Sequence, residues 1–339
     1  MLHRLIGITL IAGSFAVAWF LMTINDFSTK PLSLSDSVVA YELPPGTSLS
    51  TVANDLEKRG YLDSALLFKL LVRWEGQASK IKAGEYELHS GITPKQLITL
   101  FVSGKVKSHT FTIVEGWTFK DLVSAIRQHK SLKQTLEGLN GPDIMVRLGY
   151  PDIEPEGRFL PDTYHFPKGT TDVDFLRRAY KSMEKILADE WLKREEGLPL
   201  KTPYEALILA SIVEKESAIA EERTQIAGVF INRLRKGMRL QTDPTVIYGI
   251  GDKYKGNIRF KHLRTDTPYN TYTRKGLPPT PIAMPGQGAL DAVSHPDTTE
   301  YIYFVAMSDK SGRHIFSTTL KDHEHAVDVH QRKLIKKAR

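Results

Sequence analysis

The chain has 339 residues, of which 41% are hydrophobic and 25% are charged, and its formal net charge is +7. This composition excludes a disordered chain and fits a globular protein of about two domains. The chain has no cysteine, which excludes disulfides, zinc–thiolate sites and a lipid anchor attached to an N-terminal cysteine.

The N-terminal segment is long and uncharged. No charged residue occurs between Leu5 and Asn25, and about 20 apolar residues are enough to cross a bilayer as a helix. His3 and Arg4 precede the segment and Asp26 follows it. The positive-inside tendency then keeps residues 1–4 in the cytoplasm and exports everything after the helix. We predict a transmembrane helix over residues 5–25.

Two alternatives to a retained anchor remain open for this segment. Ala16-Val17-Ala18 resembles the cleavage site of a secretory signal peptide. The apolar run continues beyond that site to Met22, however, and Trp19 would become the first residue of the mature chain. A buried core helix is the other alternative, and the position at the N-terminus argues against it.

The next part of the chain reads as a linker followed by a small module. Residues 26–40 are polar and rich in serine, which is typical of a linker. Residues 41–107 then show the pattern strand, helix, helix, strand, helix, with Gly60 ending the first helix. This order predicts a small α+β module similar to LysM, a glycan-binding fold. The alternative is that the module is only a spacer or a docking domain.

Residues 108–339 form the larger part of the chain. A strand-like segment begins at Ser108, and helical patterns fill residues 119–146 and 173–196. The fold class expected for the whole chain is α+β, with the transmembrane helix, the LysM-like module and a larger mixed α/β domain. The densest basic cluster lies near the C-terminus without a nucleic-acid-binding motif, so we interpret it as a solvated tail. Its members are Arg332, Lys333, Lys336, Lys337 and Arg339.

The segment from Thr202 to Ala218 carries the strongest helix signal. Thr202 is a suitable N-cap, Pro203 suits the first helical position, and Glu205 completes a T-x-x-E capping box. At ~100° per residue, Glu216 projects from the apolar stripe of this helix. Its neighbours on that stripe are Leu209, Ile212 and Val213. Glu214 falls on the other side, where it can be solvated, although Leu207 on that side leaves a second buried surface open.

A carboxyl group held against apolar side chains resists ionisation, so its pKa rises. That property suits a general acid for cleavage of a glycosidic bond. The alternative is that Glu216 is a buried residue paired with an arginine such as Arg233 or Arg239.

A second helix, over about residues 221–236, ends at Gly237, and a long segment rich in Pro, Gly, Tyr and Asn follows it. Long irregular segments inside a domain are usually functional. Aromatic rings stack on sugar rings and amides bond their hydroxyl and N-acetyl groups, so this segment suits a glycan.

Several ordered motifs resemble one family, the YceG-like endolytic murein transglycosylases. They are VEGW, EGRFLPDTY, ASIVEKESA, VFINRLRKGMRLQTDPTVIYG, YNTYTRKGLPPTPIAMPG and YIYFVA. The resemblance implies that Glu216 is the catalytic acid/base and that Ser217 completes a Glu-Ser pair. It also implies a set of substrate-binding or cleft-shaping residues: Gln241, Asp243, Tyr248, Asn270 and Tyr272. Turn-forming or core roles remain open for Asp243 and Tyr248, and Thr280 departs from a position where the family commonly has a smaller residue.

The resemblance implies a lyase that cuts the β-1,4 bond between N-acetylmuramic acid and N-acetylglucosamine within nascent strands, leaving 1,6-anhydro ends and limiting strand length. It implies no cofactor or metal, and the spacing of His323, Glu324, His325 and His330 does not match H-E-x-x-H. The expected partners are peptidoglycan strands, the inner membrane and peptidoglycan synthases, with no nucleic acid. The expected location is the periplasmic face of that membrane. The alternatives are a hydrolytic muramidase, in which Asp243 or Glu214 activates water, and a non-catalytic scaffold.

Overall fold

The computed structural model describes residues 2–217, 219–309 and 311–332. Met1, the predicted helix end at Ala218 and the basic tail beyond Arg332 lie outside these residues. The chain divides into two compact units. Unit 1 comprises residues 1–109 and 165–169, and unit 2 comprises residues 110–164 and 170–339.

The predicted N-terminal helix is present and is longer than expected. Helix α1 spans Leu2–Thr29, and residues 6–29 are long and apolar enough to cross a membrane. The helix continues past Asn25 because its last turn packs: Phe27 is buried in the core of unit 1, with Leu32 just beyond. Because the first strand starts at Val38, only residues 30–37 of the expected linker lack regular structure.

Unit 1 has the predicted order of strand, helix, helix, strand, helix. Its elements are β1 (Val38–Leu43), α2 (Leu49–Lys58), α3 (Ala65–Trp74), β2 (Gly84–His89) and α4 (Pro94–Ser103). The strands β1 and β2 are antiparallel, with Tyr41 opposite Tyr86. Tyr86 is fully buried beside Phe101, and its hydroxyl donates to Lys82 O at 2.6 Å. The assignment of this module to LysM stays a prediction.

The remaining elements follow in chain order: β3 (Ser108–Thr112), α5 (Phe119–Gln128), α6 (Gly141–Leu148), β4 (Thr163–Pro167), α7 (Asp172–Lys193), α8 (Pro203–Glu216), α9 (Arg223–Arg235), α10 (Asp243–Ile250), α11 (Phe260–Arg264), α12 (Gln287–Ser294), β5 (Tyr303–Ala306), β6 (His314–Ser317) and α13 (Leu320–Val327). The strands of the described chain form three two-stranded sheets, β1-β2, β3-β4 and β5-β6. The helical pattern over residues 119–146 resolves into two helices, because Asn140 caps a new helix by accepting from Asp143 N.

Helix α8 lies at the centre of unit 2, packed by α7, α9, α10 and α12. Every residue from Ala206 to Val213 is buried, so this central part of the helix has no solvated side. Thr202 caps it by accepting from Glu205 N at 3.2 Å. The Glu205 carboxylate accepts from Lys201 N instead of Thr202 N, so only half of the predicted capping box forms.

Candidate active site

Glu216 is the last residue of α8 and lines a cavity of about 540 Å³ in unit 2. The cavity is walled by the ends of α8 and α9, by the segment around α10, and by β5, β6 and α13. Its lining residues are Glu216, Arg233, Gln241, Asp243, Tyr272, Tyr303, Phe304, Val305, Ala306, His314, Leu320, His323 and Val327. The predicted residues Gln241, Asp243 and Tyr272 therefore share one cavity with Glu216.

The Glu216 carboxyl is held by a buried hydroxyl. Thr242 Oγ1 donates to Glu216 Oε1, and Thr242 is only 2% exposed. Thr242 is itself fixed, because its N–H donates to Thr271 Oγ1 at 3.0 Å and its carbonyl accepts from Thr245 Oγ1 at 2.8 Å. Three buried threonines thus fix the orientation of the carboxyl before any ligand binds.

The surroundings of Glu216 favour its protonated form. Burial raises the pKa of this carboxyl above its ordinary value, and nearby Asp243 adds to the rise, while the bond from Thr242 opposes it. Glu216 also stands at the C-terminal end of α8, where the helix dipole disfavours a negative charge. A carboxyl with these properties can carry a proton to a ligand in the cavity.

Arg233 does not neutralise Glu216 as an ion-pair partner would. Within the described part of the chain its guanidinium donates to backbone carbonyls instead, to Ile302 O through Nε and to Leu240 O through Nη1, both at 2.6 Å. Burial lowers the pKa of Arg233. The other proposed partner, Arg239, is exposed. The arginine-paired alternative for Glu216 therefore has no support in these contacts.

Asp243 and Tyr272 form a polar pair on the cavity wall. The Tyr272 hydroxyl donates to Asp243 Oδ1 at 2.6 Å. Burial is the main cause of the raised pKa of Tyr272, and this hydrogen bond adds to the rise. Asn270 does not line the cavity. It is 1% exposed, and its amide donates to His262 O, Leu263 O and Thr265 O while its oxygen accepts from Tyr272 N. Asn270 therefore positions the loop that carries Tyr272.

Gln241 has an unusual backbone. Its φ of 50° makes it the one non-glycine residue with positive φ in the described chain. This conformation costs about 1–2 kcal/mol for a residue with a Cβ, and such strain is concentrated at functional sites. The conformation places the exposed Gln241 side chain on the cavity wall directly before Thr242.

Two other predicted residues lie outside the cavity of Glu216. Ser217 is 1% exposed, and its hydroxyl donates to Ile219 O and accepts from Ile219 N, so it shapes the turn after Glu216. Tyr248 lines a separate cavity of about 670 Å³. Its hydroxyl donates to Glu156 Oε2 at 3.0 Å.

Glu214 corrects one part of the sequence interpretation. Its side chain is only 5% exposed, although solvation was the first expectation for it. Its carboxylate accepts from Gly286 N at 2.9 Å and from Arg223 Nη2 at 3.2 Å. The sequence analysis left open a second buried surface on the side of Leu207. The structure has that surface, because neighbouring helices enclose the central part of α8. Burial raises the pKa of Glu214.

The sequence interpretation gave no ligand-binding role to the wall that β5, β6 and α13 build. His314 Nδ1 lies 2.8 Å from Glu222 Oε2, and the His323 ring stacks on Tyr303 at 5.0 Å between centroids. These residues follow Glu216 by about a hundred positions in the chain, so no local spacing links them to it. The sequence analysis also missed Thr242. Its polar side chain and its position between the predicted residues Gln241 and Asp243 were the signals that could have identified it.

Another group of ligand-type side chains lies elsewhere in unit 2. Ligand atoms of Glu190, Asp291 and His295 lie within 4.8 Å of one another. None of the three lines the cavity of Glu216. The group has the ligand types of a cation site, but it lies outside the cavity that Glu216 lines.

Comparisons with known proteins place the chain beside one family. The profile described as the YceG-like family matches residues 41–329. A protein of Bacillus subtilis named endolytic murein transglycosylase is 34% identical over 312 residues, covering 87% of this chain and 85% of that protein. A Streptococcus pneumoniae protein of the same name is 27% identical over 87% of this chain, and the match spans 59% of that longer protein. A crystal structure of a yceG-like protein from Listeria monocytogenes superposes with a TM-score of 0.52 at 31% identity, covering 86% of this chain and 99% of that one.

Proposed function

The chain belongs to the YceG-like family, and we propose that it is an endolytic murein transglycosylase, a lyase that cuts peptidoglycan glycan strands within their length. The observation that carries this proposal is that Glu216 lies on the wall of a polar, aromatic cavity, in surroundings that favour its protonated form. The name shared by the relatives from B. subtilis and S. pneumoniae supports the same activity.

In the first step Glu216 acts as the general acid. It donates its proton to the oxygen that links N-acetylmuramic acid to N-acetylglucosamine, and the bond to that oxygen breaks. The developing positive charge on the muramyl C1 is stabilised by the sugar's own 2-acetamido group, as in substrate-assisted glycosidases. The raised pKa of Glu216 supports this role, because a carboxyl group must hold its proton at the working pH to donate it.

In the second step Glu216 acts as the general base. The carboxylate left by the first step takes the proton from the 6-hydroxyl of the muramyl residue, whose oxygen then bonds to C1. The products are a 1,6-anhydro-muramyl end and a free N-acetylglucosamine end, and no water is consumed. One carboxyl group is sufficient for both steps. The bond from Thr242 favours the carboxylate and helps it to form.

The cavity wall supplies the proposed glycan contacts. Gln241 presents an amide, and the pair of Asp243 and Tyr272 presents a carboxylate and a phenol. Tyr272 also offers a ring for a pyranose face. Asn270 and Ser217 act in this proposal through the backbone they hold rather than by touching the glycan.

A hydrolytic muramidase is the second candidate, since Asp243 shares the cavity with Glu216. Asp243 is exposed and could hold a water molecule against the muramyl C1. Glu214 is a poorer candidate for this role, because Arg223 and Gly286 occupy its oxygens. The scaffold alternative predicts no cleavage.

The apolar helix α1 supports a single-pass anchor in the cytoplasmic membrane, with residues 30–339 on the outer, periplasmic face. The order of elements in unit 1 supports a LysM-like module that binds glycan near that membrane. Enzymes that synthesise glycan strands are the proposed protein partners, because their product is the substrate.

Cleavage in water enriched in ¹⁸O separates these functions. The protein is incubated with uncrosslinked glycan strands and the products are weighed by mass spectrometry. A transglycosylase gives 1,6-anhydro ends that lack ¹⁸O and weigh one water less than hydrolysis products. Reducing ends that carry ¹⁸O would assign a muramidase, and intact strands would assign a scaffold.

A further inference from the structure

Unit 1 covers one side of α1 well before that helix ends. On one side of α1, residues 24, 27 and 28 are partly or fully buried, and α1 contacts both α3 and α4. Ile24 and Phe27 pack on the hydrophobic core of unit 1. The folded module therefore reaches along α1 at least as far as Ile24.

The part of α1 that precedes this contact is about as long as the hydrocarbon core of a bilayer is thick. At ~1.5 Å per residue, the residues between Arg4 and Ile24 extend over about 28 Å. The hydrocarbon core of a bilayer is about 30 Å thick. Leu21 and Met22, on the other sides of the helix, are 44% and 67% exposed. The bilayer that α1 crosses must therefore reach the level at which unit 1 packs against α1.

Helix α3 presents a face that suits such a position. Its inner side buries Phe68, Leu71 and Val72, while Leu66 and Trp74 are 62% and 70% exposed. At ~100° per residue, the outward face also includes Lys69, Leu70 and Arg73. The helix contains no acidic residue. Exposed Trp and Leu beside Lys and Arg are typical of the membrane–water interface, where long cationic side chains lie along apolar surface and reach the polar headgroups.

The end of α1 is tied to the start of α3. Lys30 forms an ion pair with Asp63, directly before the N-cap Ser64, and Leu32 N donates to Ile92 O at 2.8 Å. These contacts join the anchor to unit 1 immediately after the helix ends.

We propose that the outward face of α3, formed by Leu66, Lys69, Leu70, Arg73 and Trp74, rests in the headgroup region of the bilayer that α1 crosses. This proposal depends on the membrane anchor in the proposed function. Unit 1 then lies on the membrane surface instead of projecting from it on a flexible tether. A glycan strand bound by this module would be held close to the membrane.

The absence of native cysteine allows a direct test by single-cysteine labelling of the full chain. A polarity-sensitive fluorophore is attached to Leu66→Cys or Trp74→Cys. Met22→Cys serves as the reference in α1, and Val38→Cys, apolar and 45% exposed on β1, is the matched control. Each protein is reconstituted in phosphatidylethanolamine–phosphatidylglycerol vesicles with or without lipids spin-labelled near the headgroup.

We expect the spin-labelled lipids to reduce the emission at positions 66 and 74 well below the emission at position 38. Emission at 66 and 74 that matches position 38, with position 22 quenched, would overturn the proposal while leaving the anchor in place. An unquenched position 22 would overturn the anchor, and with it this proposal. Cleavage of glycan strands by the labelled proteins separates either result from a failure of the enzymatic function.

Discussion

Thr242 donates its hydroxyl to the Oε1 atom of Glu216, the carboxyl that we propose gives its proton in the first step and recovers one in the second. The two influences on this carboxyl oppose each other. Burial favours the acid that starts the reaction, and the bond from Thr242 favours the carboxylate that finishes it, and burial prevails. A carboxyl that must serve as acid and then as base gains from both influences.

Replacing Thr242 by valine removes the bond without changing the side-chain shape. The pKa of Glu216 then rises further, because the remaining surroundings favour the protonated form. Cleavage requires protonated Glu216, so kcat/KM falls as pH rises through its pKa, and this alkaline limb should move to higher pH in Thr242→Val. A pH profile of strand cleavage measures the shift. Thr242→Ser keeps the hydroxyl and should keep the wild-type limb, and an unmoved limb in Thr242→Val would contradict the assignment.

Gln241 allows backbone strain to be separated from ligand contact. Gln241→Gly relieves a left-handed conformation that costs about 1–2 kcal/mol, but it adds chain entropy that costs about 0.5–1 kcal/mol. The free energy of unfolding should therefore stay within about 1 kcal/mol of the wild-type value, while KM for glycan strands rises. Gln241→Ala loses the same amide but keeps the strain, so it should be less stable than the glycine variant at equal KM. Chemical denaturation and strand-cleavage kinetics provide the two readouts, and an unchanged KM in both variants would exclude a glycan contact by this side chain.

Glu156 gives stability a pH dependence that does not involve the cavity of Glu216. It is 4% exposed, and burial raises its pKa to about 7. A folded-state pKa above the ordinary value of 4.5 means that the folded protein binds the proton more tightly. Its contribution to stability is complete below about pH 4.5 and declines as pH rises to about 7, by about 3 kcal/mol at most. Glu156→Gln cannot titrate, so its free energy of unfolding, followed by urea denaturation, should lose this decline. An identical decline in the variant would place the titration at another residue.

Glu214 and Glu216 are two positions apart and should behave differently. Glu214→Gln weakens a buried pair with Arg223 and should lower the free energy of unfolding by roughly 1–3 kcal/mol, with cleavage per folded molecule retained. Glu184→Gln, which alters a half-exposed pair with Arg158, should change stability by less than about 1 kcal/mol. Thermal unfolding and cleavage rates measured on the same samples separate the effects. Loss of cleavage in folded Glu214→Gln would support the muramidase in which Glu214 activates water.

The elements set by local sequence could be predicted. Thr202 and Pro203 begin α8 where the capping signals place it, and the uncharged run after Arg4 becomes α1. Glu216 could be singled out because an acidic residue rarely occupies a position on the apolar side of a helix.

The packing between distant segments could not be predicted from the same signals. The helical spacing placed Glu214 on a side of α8 that was expected to be solvated. The sequence of one helix does not show which other helices pack around it. Tyr248 lies on α10 with Thr245, yet Tyr248 faces Glu156 while Thr245 contacts Thr271, so contacts with remote segments set the rotation of α10. The wall with His314 and His323 reaches Glu216 only through long-range packing.

Substitution of Glu216 by glutamine tests the central claim most directly. The change preserves shape and removes the transferable proton, and Glu184→Gln serves as a matched control away from the cavity. Wild type and Glu184→Gln should convert uncrosslinked strands to fragments with 1,6-anhydro-muramyl ends. Folded Glu216→Gln should do so at least ~10²–10⁴-fold more slowly. Anhydro products formed by Glu216→Gln at the wild-type rate would contradict the account, because another group would then have to supply the proton.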